Sequence, residues 1–114
     1  MKPRGRPKKE RIVRTGPRIS HFSPRGKPGR PEEIELKLDE FEAIRLADLS
    51  GLSQKQAAAL MNISQQTFSR ILKNARTSLA EALVKGQIIK IQGGSYLIKS
   101  SENPPQKSPQ KPIT

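Results

Sequence analysis

A chain of 114 residues carrying 22 Lys and Arg against 10 Asp and Glu is long enough for one domain with extensions, and its net charge of +12 directs it toward a polyanion. It has no cysteine and one histidine, which excludes disulfides and thiolate-bound zinc or iron–sulfur centres, and no apolar run approaches membrane-spanning length. Neither metal, cofactor nor membrane enters the expectation, and a cationic start with no apolar segment behind it predicts a cytoplasmic protein.

The charge is laid out unevenly. Residues 1–30 hold eleven Lys and Arg against Glu10 alone, residues 31–97 hold eight against eight, and residues 98–114 hold three against Glu102. The first segment has few apolar side chains, Ile12, Val13, Ile19 and Phe22, among Pro, Gly and Arg. Too little surface is available there to offset the entropy of ordering, so residues 1–30 read as a mobile basic arm. Within it, Pro3-Arg4-Gly5-Arg6-Pro7, flanked by Lys2, Lys8 and Lys9, resembles the AT-hook minor-groove motif. The physics fits: prolines hold the backbone extended, Gly5 admits it to the groove floor, and Arg4 and Arg6 reach into a narrow groove of strong negative potential. A generic basic tail that binds phosphates indiscriminately is the alternative. The near-repeat Pro24-Arg25-Gly26-Lys27-Pro28 has Lys in place of the second Arg and reads as linker.

Glu33 to Leu38 alternates polar residues with Ile34, Leu36 and Leu38, which predicts a short half-buried strand. Asp39 then caps a first helix with Glu42 as its capping-box partner; Phe41, Ile44, Leu46, Ala47 and Leu49 form its packing side and Gly51 ends it. Ser53 caps a second helix, with Gln56 completing the box and Ala57, Ala58, Leu60 and Met61 on its apolar side. Asn62 breaks that helix where a residue tolerant of left-handed backbone is needed, and Ile63 plugs the turn. Ser64 caps a third helix on which Phe68, Ile71, Leu72, Ala75, Leu79, Ala82 and Leu83 recur at spacings of three, four and seven as one buried stripe. The opposite stripe, Gln66, Ser69, Arg70, Lys73 and Arg76, contains no carboxylate. This is the pattern of a helix-turn-helix whose second helix lies in the major groove; an ordinary helical hairpin with a solvated face is the plainer reading of the same residues.

After Gly86, Ile88 to Ile91 and Tyr96 to Ile98 flank Gln92-Gly93-Gly94-Ser95, which predicts a β-hairpin turning at Gly-Gly. Such a hairpin serves either as a wing on the DNA backbone or, as expected here, as the partner of the Ile34–Leu38 strand. From Ser100 the chain is Ser, Pro, Gln and Lys without a packing signal, a disordered tail. The expected organisation is therefore a basic arm at 1–30, a mainly α, winged-helix-like domain at 31–98 with three helices, a short strand and a C-terminal hairpin, and a tail at 99–114.

Leu38-Asp39-Glu40-Phe41-Glu42-Ala43-Ile44-Arg45-Leu46-Ala47-Asp48, Gly51-Leu52-Ser53-Gln54, Ile63-Ser64-Gln65-Gln66-Thr67-Phe68-Ser69-Arg70-Ile71-Leu72 and Gly93-Gly94 together resemble a prokaryotic family of predicted DNA-binding proteins, domain of unknown function 134. The resemblance covers residues 9–95 and implies the fold class and DNA binding, with no target. The helix-turn-helix is also similar to the promoter-reading region 4 of bacterial sigma factors. So short a chain has no counterpart of the other sigma regions, and contact with RNA polymerase is left without support. Members of the family usually have a Cys near the position of Arg14; without it, nothing supports a metal or redox role for the arm.

These readings converge on sequence-specific binding of double-stranded DNA by a transcriptional regulator located in the cytoplasm, on the nucleoid. Gln65, Gln66, Ser69 and Arg70 are assigned to base edges, because Gln suits adenine and Arg suits guanine; Lys55, Lys73 and Arg76 are assigned to phosphates, and Arg4, Gly5, Arg6, Lys8 and Lys9 to the minor groove. Seven of the eight acids in residues 31–97 lie between Glu32 and Asp48, a polarity that turns the third helix toward DNA. A nucleoid-type architectural protein dominated by its arm is an alternative. A basic RNA-binding protein is another, disfavoured because one Tyr and three Phe leave few stacking platforms. An enzyme would need His21 or a lone carboxylate without a partner, so no catalytic residue is assigned. A packed part of about 67 residues with one recognition helix is marginal in stability and in specificity, so a homodimer is expected, joined through Leu79, Ala82, Leu83, Val84 and the hairpin edge.

Overall fold

The two central helices form where side-chain caps put them. In this computed structural model, which describes residues 10–26, 29, 31–94 and 96–98, the Gln56 amide donates to Ser53 Oγ at 3.0 Å and the Ser53 amide to Gln56 Oε1 at 3.1 Å. Helix α2 (Gln54–Met61) thus opens on a complete capping box. It stops at Asn62, whose φ of 60° is the only positive value at a non-glycine among the described residues. A short polar side chain tolerates that left-handed conformation, and the turn follows. Helix α3 (Gln65–Lys85) starts one turn later, where Ser64 Oγ accepts the Thr67 amide at 3.1 Å, and ends at Gly86 with φ 67°.

The first helix, α1 (Leu38–Ile44), begins earlier than its sequence signal. Its N-cap is Lys37, not Asp39: the Lys37 amide donates to Glu40 Oε1 at 2.9 Å. Asp39 sits inside the first turn, buried, with Oδ1 accepting the Glu40 amide at 2.9 Å. Glu42 is consequently free of any capping role and points inward, fully buried. There it accepts the Arg14 amide at 3.0 Å and Arg45 Nε and Nη2 at 2.8 and 2.9 Å. Beyond Ile44 the helix widens into a π-helical turn, Arg45–Leu49, closed by the Ser50 amide on the Arg45 carbonyl at 2.9 Å.

Strands β4 (Ile88–Ile91) and β5 (Tyr96–Ile98) have the expected bounds, yet they do not form the expected hairpin. β4 is the middle strand of three, antiparallel to β2 (His21–Phe22) and parallel to β3 (Glu33–Leu36), with Glu33 opposite Ile88 and Leu36 opposite Ile91. β5 instead lies parallel to β1 (Arg11–Val13), with Val13 opposite Ile98. The cause is the use made of Gly93 and Gly94. The Leu38 amide donates to the Gly93 carbonyl at 3.0 Å, fastening this turn to the start of α1 rather than closing it on itself. A Cβ on Gly94 would fall 2.9 Å from Asp39 Oδ1 and 3.0 Å from Lys37 Cβ, so the approach needs glycine.

The domain boundary expected at residue 30 is also displaced, because residues 10–26 supply two strands and part of the core. Val13 has no exposed surface and packs with Leu36, Leu38, Ala75 and Ile91. Counting apolar residues along the segment missed this, since its backbone groups are satisfied by a distant strand and by Glu42. A second cluster joins α1, α2 and α3 through Ala43, Leu46, Ala57, Ala58, Met61, Phe68, Ile71 and Leu72. The buried line of α3 continues to Ala82, but Leu83, expected on it, is 84 % exposed. Among the described residues no helix is long and apolar enough to cross a membrane, and no three potential metal ligands gather.

Candidate nucleic-acid interface

Burial of Phe68, Ile71, Leu72 and Ala75 against α1 and α2 fixes which side of α3 faces outward. Gln65, Gln66, Ser69, Arg70 and Lys73 are all exposed, and they line a single concave surface. The four residues assigned to base edges and one assigned to phosphate are thereby brought together. Gln54 joins them. Sequence reasoning missed it, although the first residue after the Ser53 cap is a natural place to look, because the turn folds the start of α2 back toward the start of α3.

The other two phosphate candidates lie elsewhere. Lys55 is exposed on α2 but does not line this surface. Arg76 is held by Asp48 in a two-pronged pair, Nη2 to Oδ1 at 2.7 Å and Nε to Oδ2 at 3.2 Å. The hydrogen bond from Arg76 lowers the Asp48 carboxyl below its ordinary range, and Asp48 in turn raises the guanidinium. Both side chains are open to water, so screening leaves the pair little weight in stability. Its larger effect is on charge: the cation expected on DNA is already neutralised. Arg4, Gly5, Arg6, Lys8 and Lys9 lie outside the described residues.

Arg70 borders a second cleft as well, shared with Arg11, Lys37, Asp39, Glu40, Thr67, Asn74 and Gly94. Burial raises the Glu40 carboxyl above its ordinary value, although the Lys37 backbone hydrogen bond opposes the shift. Arg11 Nε is buried with no hydrogen bond, 3.8 Å from Asp39 Oδ2. Since β1 starts at Arg11, the chain enters the fold beside the exposed face of α3.

The acids that precede α2 are largely spent within the fold. Glu42 is paired with Arg45, Asp39 faces Arg11, Asp48 holds Arg76 and Glu33 meets Lys90. Among the described residues, no carboxylate pairs with Arg70 or Lys73. The concave surface therefore presents amides that both donate and accept, one hydroxyl and two uncompensated cations. Those groups match the edges of bases and the oxygens of phosphates.

A family profile described as protein of unknown function DUF134 matches residues 1–99. The chain is 45% identical over 98 residues to a UPF0251 protein of Thermoanaerobacter sp. (strain X514), covering 85% of this chain and 87% of that one. It is 48% identical over 93 residues to a UPF0251 protein of Desulfosudis oleivorans, covering 81% and 67%. A UPF0251 protein of Prosthecochloris aestuarii is 47% identical over 99 residues, covering 86% and 64%. No solved structure matches the chain. With its profile match running from residue 1 to residue 99 and relatives this similar across most of its length, the chain belongs to the DUF134 family of UPF0251 proteins.

Proposed function

We propose that this protein binds double-stranded DNA sequence-specifically through α3, as a transcriptional regulator acting on the nucleoid in the cytoplasm. The observation that carries this reading is the carboxylate-free concave surface of Gln54, Gln65, Gln66, Ser69, Arg70 and Lys73, on a helix held in place by a buried line from Phe68 to Ala75. In this reading Gln65 and Gln66 address adenine, Arg70 addresses guanine, and Ser69 bonds whichever edge is adjacent. Lys73 and Lys55 rest on phosphates. Binding of single-stranded RNA is disfavoured because Phe68 is fully buried, Phe41 and Tyr96 are half-buried, and Phe22 lies on a different face. Selection of bound sequences from a random duplex pool tests the reading: a shared motif is expected. Enrichment for A·T content alone would overturn it in favour of the architectural alternative.

The segment before Glu10 extends the proposal. Arg11 shares a cleft with Arg70, and Arg6 precedes Arg11 by five residues in the sequence, a reach of at most about 17 Å. In this reading Arg4 and Arg6 take the minor groove next to the site read by α3. Deleting residues 2–9 is expected to weaken binding and flatten its salt dependence, each lost phosphate contact removing about 0.9 from the slope of log affinity on log salt. A hook also requires the loss to be larger on A·T-rich flanks than on G·C-rich ones.

Asp48→Ala is expected to act in the opposite direction. It releases Arg76 from its carboxylate, steepening the same slope by up to about 0.9 and tightening binding at low salt. An unchanged slope in that variant would place Arg76 outside the contact region.

A further inference from the structure

We propose that the cleft between β1, the start of α1 and α3 binds a free α-amino acid, its carboxylate on Arg11 and Arg70 and its ammonium on Asp39 and Glu40, and that the bound ligand withdraws Arg70 from DNA. The withdrawal of Arg70 rests on the DNA reading; binding of the amino acid does not. Arg11 Nε is buried and makes no hydrogen bond, and Asp39 Oδ2, 3.8 Å away, is beyond reach of one. The two acids each spend one oxygen inside the fold: Asp39 Oδ1 accepts the Glu40 amide and Glu40 Oε1 the Lys37 amide, both at 2.9 Å. Their second oxygens accept no hydrogen bond among the described residues, and no carboxylate there pairs with Arg70. Donors and acceptors of opposite charge thus line one space without bonding each other, although buried polar groups ordinarily find partners.

A zwitterion is the ligand that this lining selects. A phosphate or a dicarboxylate would meet the two guanidiniums but lie against two carboxylates, and a simple amine would meet the acids but lie against the guanidiniums. One carboxylate and one ammonium on the same small molecule answer both sets, the first through paired N–H donors and the second through its three protons. The cavity measures about 270 Å³, room for a molecule of about ten non-hydrogen atoms. Ile71, 8 % exposed, supplies an apolar wall for the ligand's carbon atoms. Burial holds the Glu40 carboxyl above its ordinary range, and an ammonium beside it would restore the charged form.

The cleft and the concave surface of α3 share one residue, Arg70. A guanidinium turned to the ligand's carboxylate is lost to guanine, so amino acid and cognate duplex weaken each other by the same factor.

Calorimetric titration of the full chain with each of the common α-amino acids, without DNA, tests the site. At least one is expected to bind with a Kd of about 1 mM or tighter, and acetate, inorganic phosphate and methylamine at least about tenfold more weakly. Asn74 lines the same cleft from an exposed position on α3, and Asn74→Leu, checked for native circular dichroism, should lower the amino-acid affinity at least about tenfold while binding DNA as the wild type does. Arg70→Ala should lose both ligands. On a cognate duplex the amino acid should weaken the wild type by about tenfold and leave Asn74→Leu unaffected. Binding of no amino acid, acetate or phosphate binding as tightly, or an affinity unchanged in both variants overturns the site. An amino acid that binds without weakening the duplex overturns the withdrawal of Arg70. The two readings fail separately: a selected DNA motif without amino-acid binding removes only the ligand, whereas an amino acid lost in Asn74→Leu with no selected motif removes only the DNA reading.

Discussion

Glu42→Ala is expected to lower the unfolding free energy by about 3 kcal/mol and to loosen the N-terminal strand more than any helix. The carboxylate has no exposed surface and takes three hydrogen bonds, one from the Arg14 amide and two from the Arg45 guanidinium. Arg45 keeps 23 % of its side chain exposed and can turn to water, which limits the loss. The Arg14 amide, at a half-buried residue beside the fully buried Val13, is fixed by the strand and cannot turn away as a side chain can. A buried donor left without an acceptor costs about 1–3 kcal/mol by itself. Urea midpoints read the total, and hydrogen exchange at residues 11–14 should accelerate more than exchange in α2. Glu42→Gln preserves the volume and one acceptor oxygen, so it should lose less. An unshifted midpoint in Glu42→Ala would mean that β1 is held by its pairing with β5 alone.

Arg70→Ala should cost about 1–3 kcal/mol of specific affinity for a cognate duplex while leaving affinity for a scrambled duplex nearly intact, and Gln66→Ala should behave alike. Arg70 is the larger case, because it lines both the concave surface of α3 and the cleft it shares with Arg11. Lys73→Ala supplies the contrast: a phosphate contact weakens both duplexes equally. Titrations on the two duplexes separate these outcomes. Equal losses for Arg70→Ala would move it from base reading to backbone positioning.

What could be read from the sequence was local. Ser53, Asn62 and Ser64 act on backbone groups within three residues, so the bounds of α2 and the start of α3 follow from side-chain chemistry alone. The outward face of α3 is legible for the same reason, since a period of 3.6 residues leaves Gln66, Ser69, Arg70 and Lys73 opposite Phe68 and Leu72. Between Asp39 with Glu42 and Lys37 with Glu40, spacing gives no choice. Arg45, three residues on, and Arg14, 28 residues before Glu42 in the chain, hold that carboxylate inward together, and spacing along the helix does not contain the second of them. Arg76 is claimed by Asp48 across the same separation of 28 residues, and no helical pattern contains that information. The Gly-Gly turn misled because hairpin rules assume that adjacent strands seek each other, whereas β3 and β1 were already available as partners.

The pairing of β1 with β5 ties the first described strand to the last, which sets an order on synthesis. As the chain leaves the ribosome, α1, α2 and α3 can dock on one another as soon as Lys85 emerges, because their contacts are near in sequence. Val13 and the Arg14 amide can seat on the helices then, but the strand pairing of β1 must wait until Ile98 is free. The nascent protein therefore passes through a state in which the helical unit is assembled while its leading strand lacks its strand partner, and Tyr96–Ile98 serve as the latch.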